Sequence, residues 1–110
     1  MSERIKLCDV DSLSDGEAAV VEIDGRPVAY ALIDGEWFAI DDTCSHAKVS
    51  LGEGIVDVED CTIECSKHGA LFSLRTGEAL TLPAIKPVAS HVTEVDGGEV
   101  FVRIQGDRNE

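Results

Sequence analysis

Short apolar segments broken by turn signals set the rhythm of this chain. The clearest run from Ala18 to Ile23, Pro27 to Ile33, Glu36 to Asp41, His91 to Val95 and Glu99 to Ile104. Asp-Gly pairs recur at Asp15-Gly16, Asp24-Gly25, Asp34-Gly35 and Asp96-Gly97. Such pairs suit the positive backbone angles of tight hairpin turns, so the pattern predicts a succession of short antiparallel strands. No stretch keeps a helical period between capping signals, and the polar tail from Gln105 to Glu110 is expected to fray. The fold class read from this pattern is all-β, with loops gathered at the ends of the strands.

Length keeps the architecture simple. With 110 residues, 44% apolar and 28% charged, the chain fits one domain over residues 1–110. A domain of this size buries only about two-thirds of the surface its unfolded chain exposes, so a bound metal centre would add appreciably to its stability. No apolar run approaches the roughly 20 residues of a membrane-spanning helix, and the charged opening MSERIKLCDVDSL lacks the apolar core of a secretory signal. The expected location is the cytoplasm. Acidic residues outnumber basic ones 22 to 9, for a formal charge of -13. That charge disfavours nucleic acid and anionic membranes, suits a basic surface on another protein, and together with the size points to a monomer.

Two segments carry the candidate chemistry. "TCSHAKVS" holds Cys44 and His46, and "ECSKHGALFS" holds Cys65 and His68. In a reducing compartment cysteines in such a pattern read as metal ligands sooner than as a disulfide framework. Thiolate with imidazole suits zinc, iron or an iron-sulfur cluster and not calcium or magnesium. Two ligands of each type satisfy either a tetrahedral zinc or a binuclear cluster. Zinc modules with this ligand set usually draw two cysteines from one knuckle and two histidines from another. Here each loop supplies one of each, as expected if a loop sends its cysteine to one iron and its histidine to the neighbouring iron.

At these residues the sequence resembles the Rieske family, whose pattern is C-x-H followed by C-x-x-H, here with Gly69 directly after the second histidine. The resemblance covers nearly the whole chain. It implies a domain of short antiparallel strands in stacked sheets, with two cluster-binding loops at one end, about residues 43–53 and 64–73. It further implies one [2Fe-2S] cluster, with Cys44 and Cys65 on one iron, His46 and His68 on the other, and two bridging sulfides. Pro83, in "LTLPAIKP", resembles the proline of a third loop, about residues 81–87, that covers one side of the cluster; Pro83 and Pro87 also suit ordinary loop punctuation.

Exchanging two thiolates for neutral imidazoles takes the oxidised cluster from a formal charge of minus two to zero, which makes reduction easier. High-potential members of the family add a disulfide between the loops and hydroxyl donors from serine and tyrosine. The corresponding positions here are Val49, Lys67, Ala70 and Phe72, none of which can make those interactions. The expected potential therefore lies near the low end of the family's range of roughly -150 to +300 mV.

What the resemblance implies for function is a soluble one-electron carrier, taking electrons from a reductase to a terminal oxygenase of the ring-hydroxylating dioxygenase type. It is not itself expected to be an enzyme. A Rieske oxygenase needs a mononuclear iron, typically on two histidines and a carboxylate, and only His91 remains once the cluster takes its two. Alternatives are a small subunit of a nitrite reductase-like system, an accessory to iron-sulfur assembly, and a structural zinc module for interaction. Cys8 and Cys61 are expected to be small buried thiols; a Cys61–Cys65 pairing would remove a cluster ligand. His91, in the alternating stretch "SHVTEV", is expected at the surface or an interface, and Trp37 in the core. Lys48 and Lys67, inside the presumed cluster loops, are read either as docking charges or as solvated side chains.

Overall fold

The structure, a computed structural model, describes residues 4–23, 25–43, 49–66, 69–81 and 87–104. Its strands are β1 (Arg4–Asp9), β2 (Ala18–Ile23), β3 (Arg26–Ile33), β4 (Glu36–Asp41), β5 (Ile55–Asp57), β6 (Thr62–Glu64), β7 (Leu71–Ser73), β8 (Ser90–Asp96) and β9 (Glu99–Arg103). One turn of 3-10 helix, Leu51–Glu53, precedes β5. No helix among the described residues is long and apolar enough to cross a membrane. Six strands form one antiparallel sheet in the order β1-β9-β8-β4-β3-β2, and three form a second in the order β5-β6-β7.

Both faces of β3 and β4 are covered, which is why "PVAYALI" reads as a nearly continuous apolar run where a half-exposed strand would alternate. Val28 and Tyr30 of β3, with Trp37 and Ala39 of β4, join Leu7, Ile23, Val100 and Val102 in a core enclosed by the larger sheet itself. The intervening residues Ala29, Ala31, Ile33, Phe38 and Ile40 point the other way, onto Ile63 and Phe72 of the smaller sheet. Small alanines at 29 and 31 let the two layers approach closely. Trp37 sits in the core as expected.

Hairpin geometry follows the turn residues with one shift. Asp34 and Gly35 both have positive φ (51° and 78°), the combination that a two-residue turn between right-twisted strands requires. At the β8–β9 turn, however, Asp96 belongs to the ladder opposite Glu99, and the turn falls on Gly97 and Gly98. A second glycine was free to take the second left-handed position, so the turn moved one residue along. Asp15-Gly16 makes no hairpin: the Gly16 N–H donates to the Leu32 carbonyl at 2.7 Å, and the Asp15 carboxylate accepts from the Asp34 N–H. Asp24 lies outside the described residues.

Candidate metal centre

The first ligand segment leaves the end of β4 and returns into the 3-10 turn. A bridge between Thr43 and Ser50 closes its neck. Below that neck lie two adjacent carboxylates, of which Asp42 holds the two sides together. Asp42 is 5% exposed. Its Oδ1 accepts from the Ser50 hydroxyl and from the Gly52 N–H, both at 2.8 Å, while its carbonyl accepts from the Leu51 N–H at 2.7 Å. Asp41 takes a bidentate guanidinium, with Arg26 Nε on Oδ1 at 2.8 Å and an Arg26 terminal nitrogen on Oδ2 at 3.0 Å.

His91 completes that second group and corrects an expectation. It is not a surface residue: its side chain is fully buried, and Nε2 donates to Asp41 Oδ1 at 3.0 Å. The cause is the pairing of β8 with β4 through Ala39–His91 and Ile40–Ser90, which turns the imidazole toward the carboxylate at the end of β4. Burial by itself would push the Asp41 carboxyl up, but the hydrogen bonds from His91 and Arg26 outweigh it and hold the group below the ordinary aspartate value.

The second ligand segment leaves β6 and re-enters the sheet at β7. Cys65 is fully buried with a free thiol. Its N–H donates to the Ala70 carbonyl at 2.7 Å, and its carbonyl accepts from the Gly69 N–H at 2.9 Å, so the segment folds back on its own base. Gly54, leaving the first segment, lies against Glu64, entering the second; a Cβ on Gly54 would stand 1.8 Å from the Glu64 oxygen. The third segment is tied in similarly, by the Leu71 N–H to Thr81 Oγ1 at 2.9 Å and the Leu80 N–H to the Leu71 carbonyl at 2.8 Å. At its far end the Val88 N–H donates to the Gly77 carbonyl at 2.8 Å. The smaller sheet thus brings the bases of all three segments side by side.

Of the expected ligands, Cys65 is described; Cys44, His46 and His68 lie outside the described residues, as do Lys48, Lys67 and Pro83. Among the described residues no group of three or more His, Cys, Asp or Glu is arranged to hold a metal. Cys65 itself fits a thiolate ligand, being soft, buried and free of any disulfide. Cys61 does not pair with it and is a buried thiol pushed up by desolvation; Cys8 is only half-buried, on β1. Ala70 and Phe72 are fully buried in the core shared by the two sheets, and Val49 packs against it. Sequence reading missed Arg26, Asp41, Asp42 and Gly54. The available signal was the Asp-Asp pair at the end of a strand, immediately before "TCSH".

Comparison with known proteins adds a family and several relatives. The family described as "Rieske [2Fe-2S] domain" matches residues 3–92. The 3-phenylpropionate/cinnamic acid dioxygenase ferredoxin subunit of Escherichia coli (strain K12) is 43% identical over 100 residues, covering 90% of this chain and 92% of that protein. Among solved structures, the ferredoxin of carbazole 1,9a-dioxygenase from Nocardioides aromaticivorans IC177 superposes with a TM-score of 0.90 at 32% identity, over 94% of this chain and 100% of that one. A chain from a complex of reduced oxygenase and oxidised ferredoxin in carbazole 1,9a-dioxygenase gives a TM-score of 0.83 at 33% identity, over 89% of this chain and 99% of that one.

Proposed function

This chain belongs to the Rieske [2Fe-2S] domain family, and from that premise we infer that it is the ferredoxin of a multicomponent aromatic-ring dioxygenase system. In this reading it passes single electrons from a reductase to a terminal oxygenase and catalyses nothing by itself. Relatives carrying the name of dioxygenase ferredoxins match over nearly their whole length, which supports the electron-carrier reading.

Cys44 and Cys65 would hold one iron, His46 and His68 the other, within one domain spanning residues 1–110. When bound, the [2Fe-2S] cluster supplies a one-electron couple. The observation that carries this assignment is the buried, unpaired Cys65 thiol, at the base of a segment that Gly54 and Glu64 press against the neighbouring one. Around it the chain offers methyl and phenyl groups, from Ala70 and Phe72, where a hydroxyl would be needed to stabilise added charge; this supports a potential near the low end for the family. The segment containing Pro83 would cover one side. His91, the one histidine outside the motif, is already committed to Asp41, so it is not available to build a mononuclear iron site.

Partners would be recognised through basic surfaces opposite the -13 charge, in small transient contacts of less than about 1,200 Å², with the protein itself a cytoplasmic monomer. Reconstitution tests the role. With a reductase and terminal oxygenase of the phenylpropionate type, product formation is expected only when this protein is added, and to slow as ionic strength rises. Full turnover without it, or oxygenation by this chain with reductase alone, would contradict the carrier role.

A further inference from the structure

We propose, resting on the electron-carrier reading above, that the outer face of the smaller sheet is a docking surface for a redox partner that presents an apolar patch bordered by lysine and arginine. Residues directly opposite in neighbouring strands share a face. Val56, Ile63 and Phe72 form one such row and face the core, and Ala79, bridged to Phe72, packs with them. The adjoining row, Ile55, Glu64 and Leu71, therefore faces outward. Leu80, whose N–H donates to the Leu71 carbonyl at 2.8 Å, carries that row on into the third segment. Ile55 is 67% exposed and Leu80 50%. An apolar row that stays in water across a whole sheet, rimmed by polar groups, marks an interaction surface.

Charge selects the occupant. The next outward row begins with Asp57 and ends with Glu78, whose carbonyl accepts from the Ser73 N–H at 2.9 Å, and Glu59 and Asp60 stand exposed in the adjoining turn. Among the described residues no ion pair includes any of these four carboxylates, and those from Val49 to Leu74 include no lysine or arginine. Arg75, next in sequence, turns instead to Glu36 and the Phe38 ring of β4. Across β1, β8 and β9 the charges are matched: Arg4 meets Asp96, Lys6 meets Asp9 and Glu99, and Arg103 meets Glu94. Those carboxylates are neutralised within the molecule, whereas the ones around Ile55 and Leu80 are left for counter-charges from outside. A second copy of this chain, at -13, would bring more of the same sign. The apolar row also adjoins the bases of both ligand segments, since Gly54 precedes Ile55, Cys65 follows Glu64 and Ala70 precedes Leu71.

Reconstituted turnover with a reductase and terminal oxygenase of the phenylpropionate type, each made limiting in turn, tests the surface through the KM for this protein. Ile55→Ser with Leu80→Ser removes the apolar row at positions already in water, so the cluster signal should stay unchanged. KM should rise about tenfold with at least one partner limiting, at unchanged kcat. Val92→Ser, at an exposed apolar position opposite Arg103 on the larger sheet, should leave KM as it is. Glu78→Lys should raise KM at low ionic strength and less at high. An unchanged KM in the double variant with both partners, or an equal rise in Val92→Ser, overturns the proposal. If the double variant holds no cluster, Glu78→Lys decides alone: a salt-dependent rise supports the surface, and no rise overturns it. A dimer of the unmodified protein that the double variant converts to monomer would assign the face to a second copy and overturn the proposal. No turnover with the unmodified protein would fail the carrier reading itself, whereas turnover with an unmoved KM would fail the surface alone.

Discussion

Gly54 and Glu64 meet backbone to backbone, so closely that a Cβ on residue 54 would lie 1.8 Å from the Glu64 carbonyl oxygen and 2.9 Å from its carbon. Ile55 then pairs with Glu64 in the smaller sheet, and Cys65 follows directly. The exit of the first ligand segment is thereby fixed against the entrance of the second. Gly54→Ala must displace main chain, not a flexible side chain. It is expected to cost about 1–3 kcal/mol, the range for overpacking a tight contact, and to hasten iron loss. Urea unfolding with iron release followed in parallel checks this; an unaltered midpoint would contradict the contact.

Arg26, Asp41 and His91 form a partly buried support beneath the first segment. Arg26→Met leaves the Asp41 carboxylate without its main counter-charge and is expected to destabilise by about 1.5–3 kcal/mol. The pH dependence follows from Asp41. Its folded-state value is below the ordinary 3.8, so its contribution is fully present above that value and disappears as pH falls through the lowered one. Asp41→Asn should flatten the acid limb of stability against pH. An acid limb identical to that of the unmodified protein would exclude this linkage.

Ala70 and Phe72 occupy positions where, by resemblance, high-potential relatives carry hydroxyls, and both are fully buried here. Ala70→Ser and Phe72→Tyr each add a donor without removing carbon atoms. Each is expected to raise the midpoint potential, and the double variant to raise it further, as donors to the cluster stabilise added charge. Potentiometric titration of the three variants provides the check, and unchanged potentials in all of them would remove the explanation for a low value.

The free cysteines of the described residues should differ sharply in consequence. Cys65 is buried at the base of the second segment, whereas Cys8 is half-buried on β1 and packs against the core within the larger sheet. Cys65→Ser is expected to abolish the visible spectrum and Cys8→Ala to leave it intact. Retention of a normal spectrum by Cys65→Ser would exclude that residue as a ligand.

Strands β2, β3, β4, β8 and β9 were legible because each is long enough to show its apolar residues between turn signals. β5 and β6, three residues each, are too short for alternation to register, and only their pairing in the order β5-β6-β7 makes them strands. β1, "RIKLCD", was not among the strands read from the sequence, because charges interrupt its apolar residues; those charges are satisfied across the sheet, as where Lys6 pairs with Glu99. The ligand motif was legible because metal chemistry demands particular residues at short spacing. The supports around it were not, since Asp41 meets His91 fifty residues away and Gly54 meets Glu64 only after two segments fold. The misreading of His91 has the same origin. Alternation in "SHVTEV" gives two faces, and only the pairing of β8 with β4 determines which one is buried.

Electron paramagnetic resonance of the anaerobically purified, chemically reduced protein, with iron and zinc determined on the same sample, tests the cluster assignment most directly. The account predicts a rhombic Rieske-type signal with two irons per chain. A silent sample containing a single zinc would contradict it and make the chain an interaction module.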